Sequence, residues 1–466
     1  MRILFQDGKI VKEDKVVKKD LLIEDEKIKK ILPRNSSKPG VDKVIDVSGS
    51  YIMPGVIDAH THYALDSRGT VTAEDFFTGT KSAAYGGVTS FIDFSDHQED
   101  RPLAASARDR IAQAEKNSVI DFNLHQTVHY YDEQIASELK EIRKLGLSST
   151  KMFTTYKDVG YMVPPEDRAE LMRACARIGL LPTVHAEDNI IIEQSRQEVI
   201  NKVGGEAELA LKDHPDLRPA AAEKSAIEQL GDIVLKEDLP LYVDHISSAA
   251  GKYQLQQLKQ SGARIAGETT PHYLFLDKSW LQKQNPEKYF MVPPLRSEGD
   301  CEKLQKGIEQ DVFAVVATDH CAFSLEQKRE NLNPLNMLPG IPGSETLLPL
   351  LHKLVVEKKG MSYPYLSRLL SLNPARLFGL YPQRGTISQG SYADLVVFDP
   401  ARNIKLSAKN LHSAAGYSPY SHIEVTGYPV MTVHRGEIIM QEGEFTGDRG
   451  AGKFIEAGKS SLLVND

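Results

Sequence analysis

Eight strand-like apolar runs, separated by helix-like stretches, fill the middle of this 466-residue chain. The first ends at His60, and the others cover Val88 to Phe94, Val119 to Leu124, Thr150 to Phe153, Leu180 to His185, Leu239 to His245, Ala263 to Glu268 and Val312 to Asp319. Helical periodicity falls between them, as in Ala136 to Leu145, Glu166 to Ile178 and Lys252 to Gln260. Strands that alternate with helices leave two architectures, a closed barrel or a doubly wound open sheet. No Gly-x-Gly-x-x-Gly turn opens any of the helices, which argues against the open sheet. Polar residues with reactive side chains end the runs, where barrels build their active sites. The expected fold is therefore α/β, a (β/α)8 TIM barrel.

The two ends of the chain have a different texture. Ile3 to Phe5, Leu21 to Ile23 and Lys27 to Leu32 alternate apolar and polar positions between turns, and Ala393 to Phe398 and Val430 to Glu437 do the same. That is half-buried antiparallel strand patterning, so both termini are expected to build one small β-domain. The lysines between Lys9 and Lys30 are interrupted by acidic and apolar residues and read as a solvated strand face. The segment from Glu442 to Asp466, rich in Gly, Ser and charge, reads as an arm or a partly disordered tail.

Composition excludes several classes of partner. The net charge of -8 is spread along the chain without a basic block, so neither nucleic acid nor an anionic membrane is expected. No apolar stretch reaches spanning length, and the first residues do not resemble a signal peptide. Cys175, Cys301 and Cys321 are too few and too scattered for a disulfide framework or a Cys-x-x-Cys zinc site. A cytoplasmic protein is expected.

The residues ending the middle runs form a constellation: His60 and His62, Lys151, His185, His245 and Asp319. His60 and His62, one residue apart at a strand end, point to the same side and reach one ion. Imidazole and carboxylate suit zinc and other borderline divalent metals. Four histidines and a carboxylate exceed the needs of one tetrahedral ion with an open position, so the set admits two. Burial and nearby cations disfavour an ammonium on Lys151, and its neutral amine can add carbon dioxide to give an anionic carbamate that bridges two metals. Taken singly, each residue has an ordinary reading: a core histidine, a surface lysine, a helix-capping aspartate.

These motifs resemble the cyclic amidohydrolases: dihydropyrimidinases, hydantoinases, allantoinases and dihydroorotases. The resemblance runs through nearly the whole chain and includes Met53-Pro54-Gly55-Val56-Ile57-Asp58-Ala59-His60-Thr61-His62 and the stretch Gly385 to Val397. Gly69 to Lys81, Ser149 to Lys157 and Ala317 to Phe323 are similar to segments of the hydantoinase and dihydropyrimidinase branch. The resemblance implies a β-sandwich from residues 1–52 and 386–445, a barrel from 53–385, and a tail from 446–466. It also implies a pair of divalent ions, usually zinc, bridged by carboxylated Lys151. His60, His62 and Asp319 would complete one ion, and His185 and His245 the other. The implied reaction is hydrolysis of a cyclic ureide, a 5-substituted hydantoin or dihydropyrimidine, to an N-carbamoyl amino acid. A hydroxide between the metals would attack, Asp319 would move its proton to the departing nitrogen, and Tyr156 would donate to the oxyanion.

For substrate binding, the family's ring-reading loops correspond to Met291 to Arg296 and Leu338 to Ile341. They place Val292, Pro339 and Gly340 against the ureide edge, mainly through backbone groups. Val292 stands where relatives carry serine and Pro339 where many carry asparagine, and Pro339 has no N–H to donate. Tyr63, Leu65, Phe153 and Tyr161 are expected to line the side of the ring substituent. Gly267 to Leu274 looks more like allantoinases and dihydroorotases, so allantoinase is the alternative. Dihydroorotases carry an arginine where this chain has Ala64. A non-catalytic dihydropyrimidinase-like scaffold would lack metal ligands that are all present here. Members of the family usually form tetramers, so a homo-oligomer, tetramer or dimer, is expected.

Overall fold

The computed structural model describes residues 1–34, 40–98 and 100–464. Eight parallel strands follow one another in sequence order: β1 (Val56–Asp58), β2 (Val88–Ser95), β3 (Asp121–Thr127), β4 (Ser149–Phe153), β5 (Leu181–His185), β6 (Leu241–Val243), β7 (Ile265–Thr269) and β8 (Val315–Val316). Every residue of β2, β3, β5 and β7 is buried, as expected for parallel strands covered on both faces. The ring closes just beyond β1 and β8, where Thr61 pairs in parallel with His320 and the His62 N–H reaches the His320 carbonyl at 2.7 Å. The fold is the expected (β/α)8 barrel.

Strands β6 and β8 are shorter than their apolar runs. Beyond them the backbone enters the left-handed region at His245 (φ 31°) and Asp319 (φ 49°), ending the ladder and turning both side chains into the mouth. The helices start earlier than their apolar periodicity indicates, because polar caps extend them. Asp132 accepts from the Ile135 N–H ahead of Glu133–Lys144, and Ser248 accepts from the Gly251 N–H ahead of Ala249–Gln260.

Both chain ends enter one seven-stranded sheet. Its strands, in spatial order, are Glu444–Phe445, Glu437–Gln441, Glu424–His434, Leu395–Lys405, Tyr51–Pro54, Lys9–Val11 and Val16–Lys18. A four-stranded sheet, Lys27–Leu32, Asp20–Glu24, Arg2–Gln6 and Lys43–Asp46, lies against it. Ile3, Phe5, Leu21 and Ile23 pack with Ile52, Leu395, Val397 and Val433 in the core between them, making the second unit a β-sandwich. A buried charge cluster joins the two units. Arg384 pairs with Asp121, at the start of β3, and with Asp394 at 3.0 Å, and His434 lies 3.0 Å from Asp121.

The tail departs from expectation. Instead of forming an arm, residues 452–462 run across the N-terminal end of the barrel. The Phe122 N–H reaches the Lys453 carbonyl at 3.0 Å, Ile455 N–H the Phe122 carbonyl at 2.7 Å, and Ala457 N–H the Gly146 carbonyl at 2.8 Å. The cause is the row of backbone groups at the strand starts, which need partners once buried. Its last two residues, 465 and 466, lie outside the described residues. No helix among the described residues is long and apolar enough to cross a membrane.

Candidate metal centre

At the C-terminal mouth of the barrel, four imidazoles form a continuous row. Ring centroids are 5.2 Å apart for His62 and His60, 5.2 Å for His60 and His245, and 4.7 Å for His245 and His185. The Asp319 Oδ1 lies 3.3 Å from His60 Nε2 and 3.4 Å from His62 Nε2. The ligating atoms of these three residues all fall within 4.8 Å of one another, the spacing a single cation spans. Lys151, in the middle of β4, is buried on the same side, with Nζ 2.5 Å from Asp244 Oδ2. His60, Lys151, His185 and His245 are buried, whereas His62 and Asp319 keep 21% and 12% of their side-chain surface exposed. The row is therefore open to solvent at the His62 and Asp319 end.

Electrostatics keep the three buried imidazoles, His60, His185 and His245, in the neutral form that binds metals. Burial, reinforced by the Lys151 charge, holds His60 well below the ordinary histidine value. Burial and neighbouring His185 do the same to His245, and burial lowers His185 despite the charge of Glu187. His60 uses Nδ1 on the Glu268 carboxylate at 2.7 Å, leaving Nε2 for a cation. His185 uses Nε2 on Glu187 at 2.6 Å, leaving Nδ1. Carboxylates that fix the second nitrogen in this way set the tautomer and orientation of a ligating ring.

Sequence reasoning did not single out these supporting acids. Glu268 accepts from the Tyr242 hydroxyl at 2.7 Å and the His245 N–H at 3.2 Å as well as bonding His60. Together with Asp244 it forms a second grouping that includes His60, with ligand atoms again within 4.8 Å. Glu187 is clamped by Arg218, whose Nη2 lies 2.5 Å from Oε2. The available signal was proximity in the chain: Asp244 adjoins His245, and Glu187 follows His185 by two residues.

Tyr156 sits beside this row in a left-handed conformation (φ 67°), its ring 5.2 Å from that of His185. The Arg218 guanidinium lies 4.9 Å over the same ring. Burial raises the Tyr156 hydroxyl well above its ordinary value, so it remains a proton donor at neutral pH.

The two loops expected to read the substrate lie together. Val292 and Pro339 are half-buried, and among the described residues neither the Val292 backbone nor the Pro339 carbonyl has a hydrogen-bond partner. Gly340 is buried (φ 117°), and a Cβ there would collide with the Cys321 carbonyl. Its N–H goes to the Phe290 carbonyl at 3.0 Å and its own carbonyl accepts from Lys328, so it ties the loops together from within. Phe153 and Leu65 are half-buried, and Tyr161 is exposed. Tyr63 is not on the rim as expected. It is fully buried against Phe76 and Phe91, because its hydroxyl finds an internal partner in Ser344 Oγ at 2.8 Å.

The model of the amidohydrolase family matches residues 51–439. The chain belongs to the amidohydrolase family. D-phenylhydantoinase of Escherichia coli is 34% identical to this amidohydrolase over 462 residues, 98% of each chain. The crystal structure of dihydropyrimidinase from Brevibacillus agri superposes with a TM-score of 0.95 at 30% identity, covering 99% of this chain and 100% of that one. L-hydantoinase (dihydropyrimidinase) from Arthrobacter aurescens matches with a TM-score of 0.86 at 26% identity, covering 97% and 99%. These relatives make the chain a hydantoinase-like amidohydrolase and favour that reading over the allantoinase alternative. In that setting, the grouping of His60, His62 and Asp319 is a candidate site for a divalent metal.

Proposed function

We propose that this amidohydrolase opens the ring of a cyclic ureide, a 5-substituted hydantoin or a dihydropyrimidine, to give an N-carbamoyl amino acid. The observation that carries the reading is the row of four imidazoles with Lys151 and Asp319 at one barrel mouth. His60, His62 and Asp319 would hold one divalent ion, and His185, through Nδ1, and His245 the other. Lys151, carboxylated by carbon dioxide once released from Asp244, would hold both. Zinc suits this nitrogen and oxygen donor set. When bound, such ions supply Lewis acidity, making water nucleophilic near neutral pH and polarising the ring carbonyl.

The chain's own groups divide the remaining work. Water adds across the amide C–N bond. Its oxygen goes to the carbonyl carbon, and Asp319 takes the proton and delivers it to the ring nitrogen as the bond breaks. Tyr156, held protonated by burial, donates to the carbonyl oxygen as negative charge develops there. The Val292 N–H and C=O and the Pro339 C=O face the alternating donors and acceptors of the ureide edge. Pro339 contributes only its carbonyl, having no N–H. The protein would work as a cytoplasmic homo-oligomer, a setting suited to its three buried free cysteines.

The test is a panel of dihydrouracil, 5-substituted hydantoins, allantoin and dihydroorotate, assayed with metal supplied and after chelation. Chelator-sensitive opening of a hydantoin or dihydropyrimidine is the expected result. Turnover of allantoin alone, or ureide opening in metal-free protein, would overturn the reading.

A further inference from the structure

Lys328 is fully buried, yet the mechanism assigns it nothing. It lies on the short helix Leu325–Arg329, and among the described residues it forms no ion pair. Its Nζ instead donates to two main-chain carbonyls, Gly340 at 2.5 Å and Phe290 at 3.1 Å. The Gly340 carbonyl belongs to one of the two segments proposed to read the ring, and Phe290 immediately precedes the other. We infer that Lys328 is a positioning residue: it clasps the Phe290 to Arg296 and Leu338 to Ile341 segments together so that Val292 and Pro339 meet the ureide edge at a fixed separation. The inference deepens the reading above and rests on it for the identity of the ligand.

Three features of the surroundings support the clasp. The Phe290 carbonyl also accepts the Gly340 N–H at 3.0 Å, so Lys328, Phe290 and Gly340 close a triangle between the loops. Each flank of Val292 is pinned separately: the Met291 carbonyl lies 3.0 Å from His214 Nε2, and the Pro293 carbonyl accepts the Tyr273 hydroxyl at 2.6 Å. The backbone of Val292 is thus left free between two anchored neighbours. Finally, the helix that carries Lys328 is braced on both sides. Gln327 Nε2 reaches the Val71 carbonyl at 2.8 Å, and Arg329 pairs with Glu287 at 2.6 Å.

The chemistry of the position favours this role over simple filling of space. Placing an ammonium in an apolar interior without a carboxylate is costly, and a methionine of similar length would avoid that cost. A lysine offers up to three donors on a long stem, enough to hold two carbonyls from different loops at once. Burial lowers its pKa to about 7, and Glu287 and Cys321 oppose the shift. A neutral amine still carries two N–H groups, so either form can bridge both carbonyls.

The experiment compares wild-type holoenzyme with Lys328→Met and Lys328→Arg, using whichever ureide the wild type opens. Loosened reading loops weaken ground state and transition state alike. Lys328→Met is therefore expected to raise KM about tenfold with kcat within about threefold, metal content unchanged, and Lys328→Arg to recover much of the loss. Hydrogen exchange on the same proteins, without substrate, should show faster exchange in Lys328→Met at Gly340, whose N–H is held by the Phe290 carbonyl. A KM within about twofold of wild type overturns the clasp, as does an arginine variant no better than methionine, or a KM rise accompanied by metal loss. If Lys328→Met does not fold, Lys328→Gln, whose amide is too short to reach both carbonyls, must show the same KM rise or the inference fails. If the wild type opens no ureide, it is the proposed function that falls. The exchange measurement then decides the clasp alone: a Gly340 N–H equally protected in wild type and variant would refute it.

Discussion

Replacing Glu268 with glutamine separates the metal-holding role of this carboxylate from its structural one. Oε1 serves His60 Nδ1 at 2.7 Å and the His245 N–H at 3.2 Å, while Oε2 accepts from the Tyr242 hydroxyl at 2.7 Å. A glutamine of nearly the same volume keeps an acceptor toward both histidines, and the Tyr242 hydroxyl can rotate to accept from the new amide. Burial, reinforced by the Asp244 charge, pushes the Glu268 carboxyl well above its ordinary value, so a neutral replacement disturbs the metal-free fold little. Stability of the apo protein should shift by no more than about 1 kcal/mol. What disappears is the anionic acceptor that makes the His60 imidazole a stronger ligand. Metal affinity should fall about 10- to 100-fold, the usual effect of losing such a partner. Glu268→Ala differs sharply, stranding three buried donors at about 1–3 kcal/mol each, so it should lower apo stability by about 3 kcal/mol or more. Chelator-competition titration with elemental analysis reads the affinity, and denaturant melts of metal-free protein read the stability. Wild-type metal affinity in Glu268→Gln would refute the reasoning, and so would apo destabilisation as large as that of alanine.

Tyr156→Phe should lower kcat about 10²- to 10³-fold with metal content unchanged, because it removes one donor to the oxyanion. Steady-state kinetics with elemental analysis check it, and an unaltered kcat would remove Tyr156 from the reaction. Asp319→Asn should cost about 10²-fold or more in kcat. In that variant the pH dependence of the residual rate should change as well, which a pH profile would reveal. Arg384→Met leaves the Asp394 carboxylate buried without its cation and Asp121 with only His434 at 3.0 Å and Arg435 at 3.9 Å, at about 3–5 kcal/mol in a urea melt. Burial alone would raise the Asp121 carboxyl, but His434 and Arg384 outweigh it and hold it below its ordinary value. The stability it contributes is therefore present above the ordinary aspartate value of about 4 and is lost as pH falls through the depressed native one. Melts across that acid range should show a shallower decline in Arg384→Met than in wild type.

What was legible in the sequence, and what was not, follows from the range over which each interaction acts. Alternation between strand and helix periods is local, and it was enough to read the eight strands and the antiparallel texture of both chain ends. The rule that barrel chemistry sits at strand C-termini then brought together His60, His62, Lys151, His185, His245 and Asp319 without any distance being known. Interactions that depend on a partner far along the chain left no such trace. Glu268 serves His60 across 208 residues, and nothing in its neighbourhood distinguishes it from an ordinary acid near a strand end. Tyr63 adjoins a metal-ligand candidate yet points into the core, because Ser344, 281 residues later, accommodates its hydroxyl. The tail carries little apolar patterning of its own, since its order comes from backbone bonds to Phe122, 331 and 333 residues from Lys453 and Ile455, and to Gly146 just ahead of β4, 311 residues from Ala457. The residues that could be read are those whose role depends on their own side chain at a strand end. Those that hold them in place depend on complementary partners, and complementarity becomes visible only when both partners are seen together. Gly340 and Lys328 illustrate the consequence. The first was expected to face the substrate and instead gives its N–H to Phe290, and the second, in sequence an ordinary lysine among charged neighbours, lies buried where the two loops meet.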